Sequence, residues 1–121
     1  MSLASNLVAT PASGEGSAIT FDEIVRDSSG TVRSDTSRPL NTPRTLTIKH
    51  TMASLNAKGP KVDRHLVSIA DTTLTDSIPS TATVNLSLVV PRDYTGDVGA
   101  LADLAEGVLG VNISAILRGE S

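Results

Sequence analysis

The chain has 121 residues, 39% of them hydrophobic and 19% charged, and no cysteine. It is the size of one domain and too apolar for a disordered tail, and it excludes disulfide frameworks, zinc fingers, iron–sulfur ligation and thiol nucleophiles. Only Phe21 and Tyr94 are aromatic, so the core is expected to rest on Val, Leu, Ile and Ala and to be thin, which favours an oligomer. Nothing before Arg26 is basic, and no apolar run reads as approaching the roughly 20 residues of a bilayer span. A soluble chain without signal sequence or membrane contact is expected.

The formal net charge of −3 conceals a segregation. Residues 1–37 set Arg26 and Arg33 against Glu15, Asp22, Glu23, Asp27 and Asp35, and residues 71–121 set Arg92 and Arg118 against seven acids. Between them Arg38, Arg44, Lys49, Lys58, Lys61 and Arg64 are opposed only by Asp63. If folding gathers that stretch on one surface, an acidic protein acquires a basic face suited to a phosphate-rich partner. Dispersed, the same cations are solvated strand ends and loops.

In chain order, residues 1–15 read as a flexible lead-in, and Gly14-Glu15-Gly16 marks its end. Ile19 to Arg33 then reads as two strands around the turn Asp27-Ser28-Ser29-Gly30, with Gly30 suited to positive φ. Ser34 to Thr42, rich in Ser, Thr and Pro, is a connection. Arg44 to Met52 alternates strictly, with Thr45, Thr47, Lys49 and Thr51 on one face and Leu46, Ile48, His50 and Met52 on the other. Ala53 to Pro60 is a loop and Val62 to Ala70 a strand of ambiguous facing. Asp71 to Ser80 is expected to be a protruding polar loop. Thr81 to Val90 is the clearest strand, with Ala82, Val84, Leu86, Leu88 and Val90 opposite Thr83, Asn85, Ser87 and Val89, and Pro91 ends it.

Beyond Pro91 the period changes to that of a helix. Val98, Leu101, Leu104, Ala105, Val108 and Leu109 form one stripe, Thr95 or Asp97 is the N-cap, and Gly110 is expected to stop the helix before a short second one from Val111 to Arg118. The whole chain, 1–121, thus reads as one α+β domain with strands over 16–91 and helices over 95–118.

Five or six strands about 4.8 Å apart make a sheet more than 20 Å wide, whereas one helix covers roughly 10–12 Å. A dimer in which each chain's helices cross the other's sheet would solve that burial problem, with Val84, Leu86, Leu88, Leu101, Leu104 and Val108 at the interface. The opposite sheet face then offers Thr45, Thr47, Lys49, Thr83, Asn85 and Ser87 to a polar polymer. No nucleophile elbow, phosphate-binding glycine loop or HExxH pair is present, and His50 and His65 lie in strand patterns that suit structural roles. The reading is therefore non-enzymatic, with no cofactor, no metal and no small-molecule substrate. A pilus or adhesin subunit fits poorly with C-terminal helices.

The strand order, the stretches Arg44-Thr45-Leu46-Thr47-Ile48-Lys49-His50-Thr51 and Ala82-Thr83-Val84-Asn85-Leu86-Ser87-Leu88-Val89-Val90-Pro91, the Asp71 to Ser80 loop and the ending Ile116-Leu117-Arg118-Gly119-Glu120-Ser121 together resemble the coat proteins of small single-stranded RNA bacteriophages, the levivirus type. The resemblance covers roughly residues 15–121. It implies an N-terminal β-hairpin and antiparallel sheet followed by two C-terminal α-helices that interlock across a homodimer. It also implies icosahedral assembly around single-stranded genomic RNA, location in the virion with assembly in the host cytoplasm, and translational repression through an RNA hairpin on the inner sheet face. Carried over by position, Thr45, Thr47 and Lys49 with Asn85 and Ser87 would contact RNA, and Arg44 and Lys61 would neutralise phosphates. Where members of the family place a stacking tyrosine near the start of the last strand, this chain has Thr83, and Tyr94 lies past Pro91. The alternative is a nucleic-acid-binding homodimer that forms no shell.

Overall fold

The computed structural model describes residues 6–11, 16–53, 58–59 and 61–120. It contains β1 (Asn6–Ala9), β2 (Ile19–Arg26), β3 (Gly30–Asp35), β4 (Arg44–Thr51), β5 (Val62–Thr75), β6 (Ile78–Pro91) and α1 (Val98–Leu117). The six strands form one antiparallel sheet in chain order, each paired with the next. β1 falls within the expected lead-in, whose residues 1–5 and 12–15 lie outside the described residues, as do 54–57 and 60 of the expected Ala53 to Pro60 loop.

The β2–β3 turn forms where the sequence places it. Asp27 Oδ1 accepts hydrogen bonds from the Ser29 and Gly30 N–H groups and from Ser29 Oγ, so a side chain closes the turn. Gly30 serves it differently from the expectation: it is not among the positive-φ glycines, and a Cβ there would overlap the Ile48 carbonyl of β4. Close backbone approach, rather than φ, requires glycine.

The Asp71 to Ser80 loop is corrected. β5 and β6 pair without interruption from Val62↔Pro91 to Thr75↔Ile78, and the turn between them is Asp76-Ser77, at φ 52° and 64°. Two successive positive φ values are the mark of a type I′ hairpin turn, whose twist matches that of the flanking strands. The segment is polar because it is threonine-rich, and threonine favours strands. Pro79 is accommodated because β6 is an edge strand. Since β4 pairs only as far as Asp71, residues 72–75 and 78–81 run past it as a two-stranded ribbon.

The core is thin, as expected, but it is not purely aliphatic. Phe21 and Leu46 are the buried hydrophobic residues among those described, and Thr31, Arg33 and Asp35 are buried beside them. All five share one sheet face, because Phe21 opposes Asp35, Arg33 opposes Leu46 and Thr31 opposes Ile48. Arg33 Nε donates to Thr31 Oγ1 at 3.2 Å. Asp35 accepts from Ser37 N–H at 2.9 Å and from Ser37 Oγ at 2.7 Å, and Arg44 lies 3.5 Å from its second oxygen.

Two helices were expected and one is present among the described residues. Asp97 caps its start by accepting from the Ala100 N–H. The helix runs through Gly107 and Gly110 because one interior glycine costs only about 1 kcal/mol relative to alanine. It ends instead at Gly119, at φ 83°, where Gly119 N–H bonds the Ile116 carbonyl and Glu120 N–H bonds that of Ala115. No residue of α1 is buried. At 20 residues and a mean hydropathy of 1.5 it is long and apolar enough by composition to cross a membrane, which corrects the expectation that no such segment exists. Its Leu, Ile and Val residues raise the hydropathy, but Asp103, Glu106, Asn112 and the glycines interrupt them, so no continuous apolar run marks the segment in the sequence.

Candidate nucleic-acid interface

Side chains alternate across a strand and directly opposed residues share a face, so the register defines the candidate surface. Three cross-sheet rows result: Thr45–Ala70–Thr83, Thr47–Ser68–Asn85 and Lys49–Leu66–Ser87. Thr45, Thr47, Lys49, Asn85 and Ser87 are therefore brought onto one face of three adjacent strands. The fourth row, Thr51–Arg64–Val89, adds a cation that was not assigned to the site from sequence. Ser68 was also missed; its Oγ donates to Asn85 Oδ1 at 2.5 Å. This engages the amide's acceptor and leaves its N–H donors for a ligand. The ambiguous facing of β5 hid both residues, and pairing with β4 settles it.

Arg44 is a correction. It lies on the opposite face, half-buried, with Nη1 3.5 Å from Asp35 and Nε 3.3 Å from Asp71. Arg38 is held in the same cluster, 2.9 Å from Asp71 and donating to the carbonyls of Thr42 and Thr72. Both guanidiniums neutralise carboxylates at the sheet end, where their own chain competes with any phosphate. Lys61 also stands apart from the rows: it precedes β5, and its carbonyl accepts from Arg92 N–H. The basic segment thus contributes Lys49 and Arg64 to the polar face. Lys49 is exposed and lies close to the β2–β3 turn. The Asp27 carboxyl there is held below its ordinary range chiefly by the Ser29 hydroxyl, then by the Ser29 and Gly30 N–H groups, with a smaller contribution from Lys49.

The other face carries the rows Leu46–Ile69–Val84, Ile48–Val67–Leu86 and His50–His65–Leu88. Away from Leu46 it is open: Val84 is 55% exposed and Leu86 42%. On α1, Leu101, Leu104 and Val108 are exposed by 53%, 67% and 59%. Where α1 starts, Leu88, Val90, Tyr94, Val98, Leu101 and Ala105 line an apolar cleft. Tyr94 shares this cleft with Ser87 and Val89 at the end of the polar rows, and Thr83 stands in those rows without a ring.

No family model matches the sequence, and no curated protein sequence is similar to it. The fold is nevertheless that of a levi-like virus particle subunit. Over 97% of this chain and 95% of the other, it superposes on the "Virus-like particle of Beihai levi-like virus 21", with a TM-score of 0.71 at 15% identity.

Proposed function

We propose that this protein is the coat protein of a small single-stranded RNA phage: a structural, non-enzymatic subunit that dimerises and closes into an icosahedral shell around RNA. The observation that carries the reading is the fold it shares, nearly end to end, with a virus-like particle chain. The exposure of α1 and of the β5–β6 apolar face agrees with it. Each α1 crosses the partner's sheet and seals Val84, Leu86 and Leu88 with Leu101, Leu104 and Val108. At about 1.5–3 kcal/mol for each Val or Leu side chain fully buried, the exposed fractions of six residues contribute several kcal/mol per chain.

The polar rows face inward, towards RNA. Lys49 and Arg64 neutralise phosphates, while the Asn85 N–H donors and the Thr45, Thr47 and Ser87 hydroxyls hydrogen-bond bases or sugars. A hairpin bound there would make the subunit a translational repressor. Without a ring at Thr83, the cognate preference lacks a stack worth about 1–3 kcal/mol. Expression of the chain alone followed by electron microscopy tests the proposal: closed particles containing host RNA are expected. Dimers that never assemble at any salt or RNA concentration would favour a nucleic-acid-binding homodimer without a shell.

A further inference from the structure

His50 on β4 and His65 on β5 are direct partners in the ladder. Their Nδ1 atoms are 2.8 Å apart and their rings meet edge to face, with 70° between the planes. The His50 N–H bonds the Ser29 carbonyl on the β3 side. A strand residue's N–H and C=O point the same way, so across β4 and β5 the histidines form a non-hydrogen-bonded pair, the kind whose side chains come closer. Two nitrogens at this separation can share one proton in an N–H···N bond. They also have the spacing of neighbouring ligands on one ion: at metal–nitrogen distances of about 2.0 Å, a right angle places them about 2.8 Å apart.

We propose that His50 and His65 form a two-imidazole chelate for a late first-row divalent cation, with copper(II) or nickel(II) preferred to zinc. Right-angle nitrogen ligation suits tetragonal copper and nickel, whereas tetrahedral zinc spreads its ligands to about 3.3 Å. Sequence reasoning gave each histidine a separate structural role, and only the register puts them face to face. On their face the flanking strand residues are Ile48, Val67 and Leu88, with Asp63 two positions from His65. The Asp63 carboxylate is already engaged by Arg92 and by the Ala53 N–H. On the β3 side, Asp27 is engaged by Ser29 and Gly30. Both acids supply negative charge rather than ligand atoms, so water completes the coordination. Among the described residues no group of three or more potential ligands exists, so binding is reversible and weaker than at a structural centre. Both ligands belong to one chain, in the row that ends at Leu88. A bound ion cross-links β4 to β5 in the folded state and raises thermal stability by mass action.

Untagged protein in its native assembly state, stripped of metal with a chelator, is titrated with CuCl2, NiCl2 and ZnCl2 by calorimetry at neutral pH. One ion per chain is expected, with copper and nickel ahead of zinc. His50→Gln and His65→Gln should each weaken copper binding about tenfold or more and abolish the nickel-dependent rise in melting temperature. Electron paramagnetic resonance of the copper-loaded wild type should show coupling to two nitrogens, which decides the matter even if a variant fails to fold. Wild-type copper affinity retained in both variants, or a copper signal with fewer than two nitrogens, overturns the proposal.

Discussion

Asp35 is 3% exposed and still favours its ionised form. The Ser37 hydroxyl contributes most, burial opposes it, and the Ser37 N–H with Arg44 and Arg38 completes the balance that holds the carboxyl below its ordinary value of 3.8. A carboxyl whose pKa is lowered by folding stabilises the folded state above its unfolded value, and that stabilisation is lost as pH falls through the folded one. Asp35→Asn should therefore cost about 1.5–3 kcal/mol at neutral pH, the range of a hydrogen bond to a charged group. The gap between variant and wild type should narrow in urea unfolding carried out well below pH 3.8. An unchanged gap would place the effect in packing rather than charge.

At the scale of elements, the β5–β6 turn places two non-glycine residues, Asp76 and Ser77, at positive φ. That conformation favours Asn-Gly. Asp76→Asn with Ser77→Gly should stabilise the hairpin by about 1 kcal/mol through relief of left-handed backbone strain, visible as a higher melting temperature. Helix α1 makes the opposite case, because no residue of its stripe is buried within its own chain. Leu104→Asp places a charge in the proposed dimer seam and should abolish the dimer in sedimentation. A dimer of wild-type stability in this variant would exclude the interlocked arrangement.

For the whole molecule, the polar face predicts a division of labour in RNA binding. Lys49→Ala should weaken uptake of all RNA sequences alike and lower the salt dependence by about one counterion. Asn85→Ala should instead reduce the preference for a cognate hairpin over a scrambled one, and Thr83→Tyr should raise it by supplying a stacking ring. Filter-binding competition at fixed salt measures all three. If Lys49→Ala alters the hairpin-to-scramble ratio and Asn85→Ala does not, the two roles are exchanged.

The alternation of β4 and β6, the Asp27 turn and the Asp97 cap were legible in the sequence because each is local: period, turn chemistry and capping act over a few residues. The split into a polar and an apolar face followed from the same periodicity and is present in the rows through Thr47 and Leu46. Long-range pairing decided the rest. It gave β5 its facing, continued the ladder through Asp71 to Ser80, and turned Arg44 from a phosphate ligand into a partner of Asp35 and Asp71. It also set His50 against His65, fifteen positions apart. The missing helix break has a related origin: Gly110 permits a stop, but the stop forms where Gly119 adopts a left-handed conformation and its neighbours satisfy the last carbonyls. Sequence periodicity records which side of an element a residue occupies, whereas the identity of its neighbour across the sheet is a property of register, fixed only when strands distant in the chain align.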